Sequence, residues 1–254
     1  MIPDEQFLTV DQVLEKLIKA IEESKPLSLV RIGDGENIVL AQDSVMTVEN
    51  VLKEKWAQKA NQDRKLKGVT LPNLTLRDQM VDAIKAADIV GIPFYKNDPI
   101  LTENRLKREL TDQVFSYFQI NPQMVCHTFV NRVFAQKKQF WKELRSKKIM
   151  LIGQWSEQAS QLLREKPYKM NICINLPFDH NYQMDHTLET IRINKDNFDI
   201  ALISCGVNSV VIAQKVAEMT GKIGIDFGKS LMFMVQGKAG LTHSSRGAKI
   251  DLLP

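Results

Sequence analysis

Ser28-Leu29-Val30-Arg31-Ile32-Gly33-Asp34-Gly35-Glu36-Asn37 is the stretch whose reading decides the fold of this chain. Its apolar run, with β-branched Val30 and Ile32, reads as a short buried strand. Gly33 and Gly35 break that run, and Ile38, Val39 and Leu40 restart as a helical one. A strand, a two-glycine turn and a helix start place Asp34 and Glu36 at the strand's carboxyl end, where open α/β sheets bind ligands. The glycines favour an extended turn, on which two acids two residues apart point to one side; on a helix they would diverge by roughly 200°. Read so, the pair is a two-carboxylate grip on one cation. Asp-Gly is also a common turn dipeptide, and that reading of Asp34-Gly35 stays open. Arg31, just before the turn, either pairs with the acids or reaches a ligand phosphate.

Outward from this turn, strands alternate with helices. Thr9 and Gln12 form a capping-box pattern for a helix whose face carries Val13, Leu14, Leu17 and Ile21, ended by Pro26. Thr47 is placed to cap a helix bearing Val51, Leu52 and Trp56, and Thr75 with Asp78 to cap one through Met80 and Ile84. The polar, basic stretch 61–67 reads as solvated loop. Strands are expected at 89–93, 124–127, 149–152, 171–176, 200–203 and 223–225, with helices at 103–118, 156–165 and 209–219. The alternation predicts an α/β fold, a mostly parallel sheet with helices on both faces. One domain is expected over 1–254, with a loop-like tail at 236–254 that holds Lys238, Arg246 and Lys249.

Composition narrows the function. With 254 residues, 44% hydrophobic and 25% charged, the chain reads as an ordinary soluble globular protein. Its net charge of +4 suits an anionic ligand and is too small to imply nucleic acid. Cys126, Cys173 and Cys205 stand in apolar contexts without metal-ligand spacing, as expected of reduced thiols in a cytoplasmic protein. No apolar run reaches membrane-spanning length, so no transmembrane segment is expected, and the N-terminus lacks a leader pattern.

A dinucleotide fingerprint fails at the acidic turn, because Ile38 occupies the third glycine position. Asp34 and Glu36 would also repel a pyrophosphate unless a divalent ion lay between, and a hard cation such as Mn²⁺ or Mg²⁺ turns that repulsion into a bridge. A second candidate is the turn 204–209. Gly206 permits a tight bend, and Asn208 or Ser209 can cap the next helix, a role that Asp fills as well as Asn. Its free N–H groups would then face a phosphate, or the turn is a plain connector. Asp226 ends a strand as a third acid, a ribose contact or a turn residue. Cys205 has no His nearby in sequence and reads as inert. His180 and His186, with Asp179 and Asp185, read as a solvated loop. The basic run Lys137, Lys138, Lys142, Arg145, Lys147 and Lys148 reads as a solvated face, with attraction of an anionic acceptor or membrane as the alternative.

Arg31-Ile32-Gly33-Asp34-Gly35-Glu36 resembles the Arg-Phe-Gly-Asp-Gly-Glu signature of the GT-D-type bacterial glycosyltransferases. Thr128-Phe129-Val130-Asn131-Arg132 is similar to that family's Phe-Ile-Ser-Arg segment, and 200–208 and Ile225-Asp226-Phe227-Gly228 to its later motifs, in the same order. The resemblance spans about residues 25–235. It implies a Rossmann-like fold and a hexosyltransferase that uses a nucleotide-sugar donor, a UDP-sugar, with a glycan or glycoprotein acceptor. In that reading Asp34 and Glu36 hold Mn²⁺ or Mg²⁺ as the catalytic pair. Arg31, Gly33, Gly35, Arg132, Gly206, Asn208, Ser209 and Asp226 bind substrate. Two departures stand out: Lys229 occupies a position where the family often has His, and Gln154-Trp155 follows a strand where an acid is expected. A methyltransferase-like nucleotide enzyme and a non-catalytic sugar-nucleotide-binding module are the alternatives.

Overall fold

Among the described residues, apolar runs become seven strands: β1 (Leu27–Arg31), β2 (Ile89–Ile92), β3 (Val125–His127), β4 (Lys148–Gly153), β5 (Asn171–Leu176), β6 (Ile200–Ser204) and β7 (Ile223–Asp226). They form one sheet in the order β3-β2-β1-β7-β6-β4-β5, and every pairing is parallel. The computed structural model describes residues 2–238, so Arg246 and Lys249 lie outside the described residues.

Side chains alternate across the sheet with the two-residue period of a strand, which divides the core into two layers. Val30, Ile32, Met150, Ile152, Ala201 and Ile203 face one layer. Leu27, Leu29, Ile149, Leu151, Ile200 and Leu202 face the other. Helices Asp34–Ala41, Leu74–Ala86 and Ser209–Thr220 cover the first layer; Val10–Glu23, Lys138–Leu144 and Ser156–Arg164 cover the second. Gly224 lets Ser209–Thr220 sit down on β7, since a Cβ there would lie 2.1 Å from the Ala213 carbonyl oxygen.

Most caps form as their residue types dictate. The Thr9 N–H donates to Gln12 Oε1 at 2.8 Å, and Thr9 Oγ1 accepts from the Gln12 N–H at 3.3 Å. Thr47 caps Val48–Lys53. The helix Leu74–Ala86 is capped by Asn73, not Thr75: Asn73 Oδ1 accepts the Leu76 N–H at 2.9 Å, while the Asn73 N–H is held by Gln42 Oε1 at 2.7 Å. The stretch expected as loop at 61–67 carries the end of Lys55–Gln62 and a short helix, Arg64–Lys67. The basic run holds a helix too, Lys138–Leu144, whose Phe140, Trp141 and Leu144 are buried. Among the described residues no helix is long and apolar enough to cross a membrane.

Candidate active site

A pocket of about 880 Å³ opens where β1, β4, β6 and β7 end at their carboxyl termini, lined by the turns that follow them. The strand order reverses beside β1, and such a crevice is where parallel sheets place their ligands.

The acidic turn differs from its expected form. Gly33 is extended, with φ −116° and ψ −161°, and the helix Asp34–Ala41 begins at Asp34 itself. Asp34 and Glu36 therefore stand in the first helical turn, not on an extended loop. The physical reason is Glu36, whose Oε2 accepts the Gly33 N–H at 2.9 Å and closes the helix start. That fold-back offsets the divergence a helix imposes, and both acids line the pocket. The unpaired N–H groups of a helix start also favour negative charge there. Gly35 is required by its neighbour: a Cβ would come 2.6 Å from the Trp56 ring. The Glu36 carboxyl is pushed up to about 7, by desolvation first and then by the charges of Asp226 and Asp34, with Arg31 opposing.

Behind this turn, Arg31 spends its guanidinium on the scaffold. It donates to the Asp226 carbonyl and to Asp226 Oδ1, each at 2.9 Å, to the Thr128 carbonyl at 2.8 Å and to Asn131 Oδ1 at 3.1 Å. One side chain thus ties β1 to β7 and to the segment after β3. Its acid partner is the buried Asp226, which also accepts the Gly228 N–H at 3.0 Å. Burial raises the Asp226 carboxyl, with Arg31 and the Gly228 N–H opposing.

Cations face the acids. Arg132 is buried, with its guanidinium carbon 3.6 Å from the Phe129 ring centroid, and is pushed down to about 9 by desolvation and by Arg31. Lys67, read from the sequence as part of a solvated loop, lines the pocket with its ammonium 5.4 Å from the Trp56 ring centroid. Desolvation lowers it, while Asp34 and Glu36 oppose the shift. Lys229 is exposed toward the pocket and is pushed down to about 8, by desolvation and then by Lys67 and Arg132, with the same two acids opposing. Sequence reasoning missed Lys67 as a site residue. A basic stretch carries no signal of which lysine folds inward.

The 204–209 turn divides the expected residues. Gly206, at φ +60°, lines the pocket, whereas Asn208 and Ser209 are fully buried and do not. Asn208 does not cap the helix with its side chain. Its Nδ2 donates instead to the Gly68 carbonyl at 2.8 Å and the Cys205 carbonyl at 3.1 Å. Ser209 Oγ accepts the Cys205 N–H at 2.8 Å. The Cys205 thiol is buried and raised well above its ordinary value by desolvation, which suits the inert reading. Cys173, expected in an apolar setting, is exposed on edge strand β5. His180 is buried against Thr70 Oγ1 at 3.1 Å, and His186 is exposed on helix Met184–Ile193, so these two histidines form no shared site.

Asp34 and Glu36 supply hard oxygen donors where desolvation first, and then the negative field of Asp226 and Asp34, raises the Glu36 carboxyl to about 7. A divalent cation would relieve that field. Among the described residues no group of three His, Cys, Asp or Glu side chains could hold a metal. The acid pair offers two oxygen donors, and a cation of the Mn²⁺ or Mg²⁺ kind held there would complete its shell from phosphate oxygens and water.

A family model for a GT-D fold-like domain matches residues 8–234. A solved structure described as the selenomethionine-substituted structure of domain of unknown function 1792 aligns over 98% of this chain and 90% of that chain. The TM-score is 0.55 at 15% sequence identity, a likeness of fold. No curated protein matches the sequence.

Proposed function

We propose, from the premise that the chain belongs to the GT-D fold-like domain family, that it is a metal-dependent glycosyltransferase. It would move a sugar from a nucleoside-diphosphate donor, a UDP-sugar, to a glycan or glycoprotein acceptor. The observation that carries this reading is the pairing of Asp34 and Glu36 in one helix turn, under a pocket that also gathers Lys67, Arg132 and Lys229.

Asp34 and Glu36 would hold Mn²⁺ or Mg²⁺, and that ion, when bound, supplies Lewis-acid stabilisation of negative charge on the leaving diphosphate. Gly33 fixes the Glu36 carboxylate through its N–H, so the acid is oriented before any ligand arrives. Trp56 packs on Gly35 at one side of the turn. Arg31 holds the turns after β1, β3 and β7 at fixed separation, while Arg132 presents charge from its seat on Phe129. Neither Asn208 nor Ser209 reaches the pocket, so both support this machinery from behind.

The test is a thermal-shift and calorimetric series with UDP-sugars, with and without Mn²⁺. Asp34→Asn and Glu36→Gln should each abolish Mn²⁺-dependent donor binding while circular dichroism stays that of the parent. Unchanged Mn²⁺-dependent affinity in both variants would sink the metal assignment. Donor bound with neither transfer nor hydrolysis would instead mark a binding module, and nucleotide binding indifferent to divalent ions another class of nucleotide enzyme.

A further inference from the structure

Two lysines reach the pocket from parts of the chain 162 positions apart (67 and 229), and each is delivered by a fixed backbone. Lys67 ends the short helix Arg64–Lys67. The next residue, Gly68, has φ +70°, and its carbonyl accepts from Asn208 Nδ2 at 2.8 Å and from the Asn181 N–H at 2.9 Å. The Lys67 carbonyl oxygen lies 2.8 Å from where a Cβ on Gly206 would stand, so this backbone is laid directly over the 204–209 turn. Lys229 follows Gly228, whose N–H is held by Asp226 Oδ1 at 3.0 Å and whose carbonyl accepts from the Ser204 hydroxyl. Asn131 Nδ2 adds a bond to the Phe227 carbonyl at 2.6 Å.

We propose that Lys67 and Lys229 form a two-lysine clamp for the diphosphate of the donor, so that it is recognised by the protein's own charge as well as through the acid pair. The inference rests on the nucleotide-sugar reading of the pocket. Both lysines stand in the field of Asp34 and Glu36 and are desolvated there, Lys67 beside Lys59, and Lys229 beside Lys67 and Arg132. The two ammonium groups line one pocket, and a diphosphate carries its charge on two adjacent groups that two point charges can grip. The fixed backbones leave only the side chains to order on binding, which keeps the entropic cost low. The route first expected for the phosphates, the N–H groups of the helix after Gly206, is the one over which the Lys67 backbone lies, with Asn208 turned to secure that cover.

Inorganic pyrophosphate is the probe, titrated calorimetrically at one fixed Mg²⁺ concentration, so that repulsion by the acid pair is offset equally in every variant. Lys67→Met and Lys229→Met should each weaken pyrophosphate on the order of tenfold, as expected for loss of one charge-assisted contact. Lys67→Arg and Lys229→Arg should recover most of that loss, and Lys215→Met, outside the pocket, should leave it unchanged. A parent that does not bind pyrophosphate in Mg²⁺ overturns the clamp. So does parental affinity in either Met variant. The glycosyltransferase reading fails separately: pyrophosphate lost in the Met variants with no sugar transfer by the parent keeps the clamp and removes that activity. Sugar transfer by a parent whose Met variants hold pyrophosphate undiminished does the reverse.

Discussion

Lys229 shows what a single residue costs when it is placed for a ligand. Its amine is pushed down to about 8, by desolvation and by Lys67 and Arg132. The sign follows from linkage: below about 8 the folded and unfolded chains both carry the proton, and the strain of the crowded charge is fully present. As pH rises from about 8 through the ordinary lysine range, the folded chain sheds that proton first, and its stability relative to the unfolded chain rises. Lys229→Met should therefore unfold at higher temperature than the parent at pH 7, with the advantage fading as pH climbs past about 10. Because Lys229 is exposed to the pocket, solvent screens the effect, and the gain should stay under about 1 kcal/mol. Melting curves in a pH series read it directly; a variant less stable than the parent at pH 7 would mean the lysine makes a net stabilising contact. Glu36 behaves alike in kind, a carboxyl held near 7 by desolvation and by two neighbouring acids.

At the scale of elements, the helix starts carry the site, and they do so through side chains that hold other segments. Asn208 illustrates this. Read from sequence it is a helix cap, a role in which Asp serves as well, and replacing it would leave stability nearly unchanged. In the structure it is a buried double donor that joins Gly68 and Cys205. Aspartate cannot donate to either carbonyl and would bring a buried charge, so Asn208→Asp should destabilise the fold by roughly 2–4 kcal/mol. Urea denaturation measures that loss, and a change within about 0.5 kcal/mol would restore the simple-cap reading. The helix Asp34–Ala41 makes the converse point. Its sequence announces a turn with two glycines, yet the chain becomes helical at the first acid, because Glu36 can reach back to the Gly33 N–H.

For the molecule as a whole, the sheet sets a gradient of stability with the site at its stable end. β2, β1, β7, β6 and β4 form the interior of the strand order, and their residues are nearly all buried. β5 is an edge strand with Asn171 and Cys173 exposed and a register irregularity against β4. Native-state hydrogen exchange should show the slowest amides in β1, β6 and β7, exchanging through global opening, and the fastest strand amides in β5. Arg31 joins three of the site's turns to this slow region, so the acidic turn should open together with β1. Fast exchange in β1 with slow exchange in β5 would contradict the gradient.

Strand positions, their parallel arrangement and the acidic turn were legible because they rest on local chemistry. Apolar β-branched runs make strands, the alternation with helices requires a parallel sheet, and Gly-Asp-Gly-Glu cannot continue a strand. Thr9, Thr47 and the strands 171–176 and 200–203 needed nothing beyond their neighbours in sequence. Tertiary structure decided the rest. Lys67 enters the pocket because Asn208, 141 positions later, binds the backbone beside it, and no periodicity in 61–67 encodes that bond. Arg31 ends as a scaffold clamp because Asp226, Thr128 and Asn131 converge on it from distant segments. Hydrophobic pattern is a property of the chain, readable by residue spacing alone. Which polar groups meet is settled only when the sheet closes and each buried donor must find an acceptor.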